Sequence, residues 1–145
     1  MNEIIDEVCK LLARFEGCRL IAYQDCVGVW TIGFGETLGV TEGMVWTQEH
    51  ADTQLRLRAG YFLMQVLSKC PQLHKEPINR VAACVSLAYN IGISAFGISS
   101  VCRLTSRKEY QSAADKFILW NKAGGKIVKG LSYRRSLESG IYMMK

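Results

Sequence analysis

The amino-acid sequence predicts an α+β fold, mostly helical, with a β-hairpin lobe over about residues 16–46 and a helical lobe over about residues 70–145 that also takes in the N-terminal helix. Three observations carry this. Apolar residues recur at helical spacing from Ile4 to Phe15, from Ala51 to Leu67, and through much of the chain after Val81. The segment Trp30 to Phe34 alternates instead, as a strand does. Gly17, Cys70-Pro71 and Asn90-Ile91-Gly92 fall where the helical runs must stop.

In the first run, Ile4, Ile5, Val8, Leu11, Leu12 and Phe15 make one stripe, with Asn2 placed to cap it and acids in the first turn. Glu3, Asp6, Glu7 and Lys10 interrupt any signal-peptide core, and an acidic polar face does not suit a membrane surface, so the stripe is expected to pack internally. Glu16 closes the helix and Gly17 takes the left-handed cap. A carboxylate there meets the negative end of the helix dipole, at a cost of roughly 0.3–1 kcal/mol. That placement calls for a reason.

Arg19 to Tyr23 reads as the first strand of a hairpin, with Gln24-Asp25-Cys26 at or near its turn. In the second strand Trp30, Ile32 and Phe34 share one face, and Thr31, Gly33 and Gly35 the other, where bare glycines let a ligand approach the backbone. Leu38 to Trp46 is a glycine-bearing loop, and Thr47 can cap a long helix with Ala51, Leu55, Ala59, Phe62, Leu63, Val66 and Leu67 on one face. From Val81 to Ile98 there is no charge, a length approaching the ~20 residues of a membrane span. Ser86, Asn90, Gly92, Ser94 and Gly97 favour a buried central helix instead. Shorter helices are expected around Ile98 to Leu104 and Lys108 to Trp120, then a loop from Asn121 to Gly130, then a last helix capped by Ser132 and carrying Tyr133, Leu137 and Ile141.

A chain of 145 residues, 49% hydrophobic, is one domain with a real core. Its net charge of +5 suits an acidic partner: nucleic acid, an anionic membrane or a bacterial wall polymer. No helix-turn-helix or base-stacking pattern favours nucleic acid. The six cysteines (Cys9, Cys18, Cys26, Cys70, Cys84 and Cys102) have no zinc-site or thioredoxin spacing, and with only His50 and His74 beside them no metal is expected. Cys26 adjoins Asp25 but has no neighbouring histidine to activate it as a nucleophile. Reduced thiols are the default reading without a signal peptide.

Each of Glu16, Asp25 and Thr31, taken singly, reads as a helix-end, turn or strand residue. Together they place two carboxylates and a hydroxyl around a glycine-lined groove, as glycoside hydrolysis requires: one acid protonates the leaving oxygen, and the other, ionised, guides water or stabilises positive charge on the sugar.

The spacing Glu16, eight residues, Asp25, five residues, Thr31, followed by I-G-F-G-E-T, closely resembles the catalytic signature of the phage-type lysozymes, the endolysins of glycoside hydrolase family 24. The likeness extends to W-N-K-A-G-G-K-I-V-K-G-L-S-Y-R-R-S-L-E, from Trp120 to Glu138. It implies a two-lobed lysozyme-like fold whose lobes are joined by the long helix after Thr47. It further implies Glu16 as general acid, Asp25 as the ionised carboxylate and Thr31 as the residue that positions water, in an inverting reaction with the carboxyl groups roughly 6.5–9.5 Å apart. Arg134 or Arg135 would ion-pair with Glu16, and Tyr23, Gly33, Gly35 and Asn121 would line the sugar groove. Glu36 departs from the pattern, since many relatives carry histidine there, so the pairing that histidine makes is absent or inverted.

The implied protein is a monomeric muramidase without cofactor. It is held in the host cytoplasm until lysis, released with the help of a holin because no N-terminal anchor is evident, and active on peptidoglycan in the periplasm. Cys18 and Cys26 flank the groove, and related enzymes have redox switches there. Rival readings are an inert wall-binding protein, a cationic membrane-disrupting protein and a lytic transglycosylase.

Overall fold

The computed structural model describes residues 2–145. Helix α1 (Asn2–Glu16) leads into a hairpin of β1 (Arg19–Gln24) and β2 (Trp30–Gly33), and after a loop the long α2 (Gln48–Lys69) crosses to the helical lobe. That lobe holds α3 (Ile78–Ile91), α4 (Ile93–Gly97), α5 (Ser100–Ser106) and α6 (Tyr110–Asp115). A two-residue hairpin, β3 (Lys122–Ala123) and β4 (Lys126–Ile127), precedes α7 (Lys129–Met143). Short 3₁₀ turns at Pro71–Lys75 and Phe117–Trp120 join the pieces.

Local chemistry sets most element ends. Gly17 takes φ +65° and its N–H donates to Ala13 O at 3.2 Å, ending α1 at Glu16. Thr47 accepts the His50 N–H at 3.1 Å and starts α2, while Gly92 at φ +97° ends α3. Asn2 is already helical, so it is not the cap of α1.

α3 is the centre of the molecule. Val81 to Ala88 are buried without interruption, and α1, α2 and α7 pack around them. The uncharged run is therefore a buried helix that breaks at Gly92, with α4 as a separate turn. Among the described residues no helix is long and apolar enough to cross a membrane.

Two further expectations need correction. The alternation of the second strand stops at Gly33, whose φ of +66° turns the chain left-handed; Ile32 and Glu36 then exchange both backbone hydrogen bonds at 2.9 Å, so Phe34 and Gly35 sit in a tight loop. Ser132 does not cap the last helix, which starts three residues earlier after Val128, and its hydroxyl instead accepts from Asn121 at 3.1 Å. Tyr133, Leu137 and Ile141 lie on α7 as expected. Its buried residues are Arg134, Arg135, Glu138 and Tyr142, while Tyr133 is exposed. Charge faces inward there because the charges find partners.

The first lobe is thin. β1 pairs β2 through Arg19 with Gly33, Tyr23 with Thr31 and Gln24 with Trp30, interrupted by a bulge. The loop expected from Leu38 to Trp46 returns along the other edge of β1, where Ala22 donates to Met44 O and Trp46 donates to Leu20 O. A two-stranded hairpin is marginal alone, and this extra edge pairing with Trp46 packed beneath steadies it.

Candidate active site

The end of α1 and the hairpin meet where Glu16 was expected to act. Glu16 is held from the helical lobe: Arg134 Nη1 donates to its Oε1 at 2.6 Å, which offsets the poor position of a carboxylate at a helix C-terminus. Its other oxygen faces Gly35, where an added Cβ would stand 3.5 Å away. Gly35 at φ +94° thus lets the loop pass close to the acid.

Arg134 is a hub. Its Nε reaches Glu138 Oε2 at 3.1 Å, its Nη2 donates to Ser86 O at 3.0 Å, and its guanidinium lies 4.7 Å from the Phe15 ring centroid. Glu138 is fully buried and also pairs with Arg135, whose Nε lies 2.7 Å from Oε1, while the Ser86 hydroxyl donates to Oε2. Burial pushes the Glu138 carboxyl up, against the pull of both arginines and Ser86. Of the two arginines expected to support Glu16, only Arg134 reaches it. Arg135 is turned toward Asn90 Oδ1 (2.9 Å) and Trp120 O (3.2 Å), and burial lowers its own proton affinity. Neighbouring residues on a helix point about 100° apart, so both could not face one acid.

Asp25 sits at the hairpin tip and organises it: Oδ1 accepts the N–H groups of Val27 (3.0 Å) and Val29 (2.8 Å). This turn presets the direction of the carboxylate before any ligand arrives. Thr31 is buried rather than open on a bare face, and its hydroxyl donates to Val29 O at 2.9 Å, which leaves its lone pairs as acceptors. From the base of the hairpin outward the order is Glu16 with Gly35, then Thr31 opposite Tyr23, then Asp25.

The expected groove residues divide. Tyr23 is half-buried beside Thr31, with the Arg19 guanidinium 4.2 Å above its ring. Gly33 does not open onto a groove: a Cβ there would stand 2.7 Å from both Trp46 and Glu36, so the glycine serves packing inside the lobe. Asn121 is buried in the other lobe, where it holds α7 through Ser132 and accepts the Val128 N–H at 2.8 Å.

Glu36 is an anchor that sequence reasoning left outside the site. Its Oε2 accepts the Phe34 N–H at 2.9 Å, and the Tyr89 hydroxyl donates to Phe34 O at 3.0 Å, so Phe34 is gripped on both sides next to Gly35. Arg58 from α2 approaches Glu36 Oε1 at 3.8 Å while lying over the Tyr89 ring. The pairing at this position is therefore with a cation. Burial pushes the Glu36 carboxyl up, against Phe34 and Arg58, and pushes Tyr89 up to about 12. Ser86, Tyr89 and Arg58 gave no signal in the sequence. Glu138 gave one, since it stands four residues after Arg134 on the same helix.

A separate groove of about 570 Å³ between α1, α3 and α7 is lined by Leu11, Arg14, Ile78, Asn79, Ala82 and Ile141, among others, and by none of the residues above. All six cysteines are free thiols, with Cys26 exposed at the hairpin tip.

Comparison with known proteins covers nearly the whole chain. A family model described as phage lysozyme matches residues 13–138. The endolysin of Salmonella phage P22 is 42% identical over 131 residues, 86% of this chain and 87% of its own. That of Acyrthosiphon pisum secondary endosymbiont phage 1 is 36% identical over 138 residues, 91% of this chain and 92% of its own. Among solved structures, a P22 lysozyme mutant superposes with a TM-score of 0.80 at 37% identity, covering 94% of this chain and 95% of that one. The muramidase domain of SpmX from Asticaccaulis excentricus gives 0.83 at 31% identity, covering 95% of each.

Proposed function

We infer, from the premise that this chain belongs to the phage lysozyme family, that it is an endolysin with muramidase activity, cutting the β-1,4 bond between N-acetylmuramic acid and N-acetylglucosamine in bacterial peptidoglycan. The single observation that carries the residue assignment is the Glu16 carboxylate, held at a helix end by Arg134 and faced by Gly35 in a loop that admits close approach.

In this reading Glu16 gives its proton to the glycosidic oxygen, and the bond to the sugar C1 breaks as positive charge develops on the ring. Asp25, fixed by its own turn, stabilises that charge. The Thr31 hydroxyl accepts a hydrogen bond from the attacking water, which enters from the opposite face, bonds to C1 with inversion and releases a proton to solvent. Gly35 and Tyr23 border the sugar path, while Arg134 positions Glu16. Arg135, Gly33 and Asn121 support from behind.

The protein acts as a monomer on peptidoglycan, with no nucleic acid partner. Its route to the wall is through a holin lesion, from the host cytoplasm to the periplasm. Relatives named SAR-endolysins, from Enterobacteria phages P21 (32% identical) and PA-2 (30%), favour a second route independent of a holin. Expression with and without a holin, scored by lysis timing, separates the two.

The catalytic test is digestion of purified peptidoglycan by wild type and Glu16→Gln, with mass analysis of the released sugar ends. Reducing muramic-acid ends that vanish in the variant are expected. Anhydro ends would instead mean a transglycosylase, and lysis of cells by the variant without sugar release would mean membrane attack.

A further inference from the structure

The helical lobe contains a thiol pair that the groove does not use. Cys70 ends α2, its N–H donating to Val66 O at 2.9 Å, and Cys102 lies within α5. They are 0% and 4% exposed. Each sulfur reaches across to the other's backbone: Cys70 Sγ stands 3.8 Å from Cys102 O, and Cys102 Sγ stands 3.5 Å from the carbonyl of Lys69, next to Cys70. Interlocked in this way, the two side chains lie against each other between the end of α2 and α5. Ser106, at the surface, sets its hydroxyl 3.5 Å from Cys70 Sγ and donates to Cys102 O at 2.9 Å, so a polar edge leads from solvent to the pair.

The two sulfurs are not equivalent. The neighbouring Cys102 side chain, helped by Ser106 and the Leu73 N–H, outweighs burial and the nearby Glu76 and holds the Cys70 thiol below its ordinary range. The Cys102 thiol is pushed up by Cys70 and by burial. A stabilised thiolate beside a second thiol is the arrangement of an attacking and a resolving cysteine.

We propose that Cys70 and Cys102 form a peroxide-reactive pair that closes to a disulfide between the end of α2 and α5. The Cys70 thiolate attacks one oxygen of hydrogen peroxide; an S–O bond forms, the O–O bond breaks, and the departing hydroxide takes up a proton as water. Cys70 is then a sulfenic acid. Cys102 sulfur, giving up its proton, attacks Cys70 sulfur and displaces the oxygen as a second water. Two thiols lose two electrons in all, and one peroxide is reduced to two waters. A small oxidant is required because both sulfurs are buried. The new bond spans 32 residues of chain and ties the end of the interlobe helix to the helical lobe. A loop of that length raises Tm by about 10 °C for a chain of this size.

The test is a peroxide titration of the full chain, with the remaining thiols alkylated under denaturing conditions and the peptides mapped. Expected is a link between tryptic peptide 70–75 and peptide 81–103, with Cys84 in the latter alkylated, together with the rise in Tm and its reversal by dithiothreitol. In Cys102→Ser, which keeps a polar donor beside Cys70 but has no resolving sulfur, the Cys70 sulfenic acid persists and is trapped by dimedone; should that variant not fold, the wild-type peptide map decides alone. Oxidation of Cys70 no faster than that of buried Cys84, or a link that joins Cys18 to Cys26 while Cys70 stays free, would overturn the proposal. Because the readout is mass and melting temperature, its outcome is independent of the muramidase assignment.

Discussion

Replacing Arg134 should separate what the hub does for the fold from what it does for the acid. Arg134→Met loses the hydrogen bonds to Glu16 at 2.6 Å, to Glu138 at 3.1 Å, to Ser86 O at 3.0 Å and to the Ser86 hydroxyl at 3.3 Å. Glu138 stays buried but keeps Arg135 and the Ser86 hydroxyl, so its loss belongs at the low end for a broken buried pair, about 3 kcal/mol. The Glu16 side chain is 21% exposed, and solvent screening limits its share to about 0.5–1 kcal/mol. Together these make about 3–4 kcal/mol, or roughly 10 °C in Tm. Freed from Arg134, the carboxylate swings on its own rotamers, and misplacement of about 1 Å costs up to ~100-fold in rate. Arg134→Lys should recover part of the Tm, because an ammonium can serve Glu138 or Glu16, but little of kcat, because it cannot span both. Calorimetry and release of reducing ends from peptidoglycan give the two readouts. If Arg134→Met melts about 10 °C lower yet keeps kcat within threefold of wild type, the arginine is a scaffold only and the positioning argument fails. An unchanged Tm would refute the buried network.

Glu36 should carry a pH signature. Its folded-state carboxyl is raised by burial, so the stability it contributes is fully present below the ordinary glutamate range and is lost as pH rises through the raised value. Glu36→Gln should therefore gain Tm relative to wild type as pH rises across that window, and scanning calorimetry from acid to neutral pH reads the sign; a relative loss would mean that Arg58 dominates. Gly33→Ala should destabilise by about 2 kcal/mol or more, from the left-handed φ and the clash with Trp46, and should cut activity by loosening the Gly35 loop, checked by denaturant melts with activity measured on the folded fraction. Thr47→Ala, at the cap of α2 and away from the groove, should cost about 1 kcal/mol and leave kcat unchanged. Thr31→Val should keep Tm within a few degrees while lowering kcat, since it removes only the hydroxyl. Equal kcat would exclude the water-positioning role.

The fold class and several element ends were legible in the sequence, because these rest on local physics. Gly17 and Gly92 take backbone angles other residues avoid, Thr47 caps through its own hydroxyl, and apolar periods of 3.6 and 2 say which stretches are helix and which are strand. The spacing of Glu16, Asp25 and Thr31 was equally legible, since one helix end and one hairpin carry all three. What the sequence could not show was which way the last helix faces. Its arginines were expected to serve Glu16 alone, but both turn inward, where Ser86 and Asn90 receive them as well. The choice between Arg134 and Arg135, the grip of Tyr89 on Phe34, and the meeting of Cys70 with Cys102 each join residues tens of positions apart. Only tertiary structure decides those, because burial makes a charged or polar group tolerable solely where a partner from another element arrives to satisfy it.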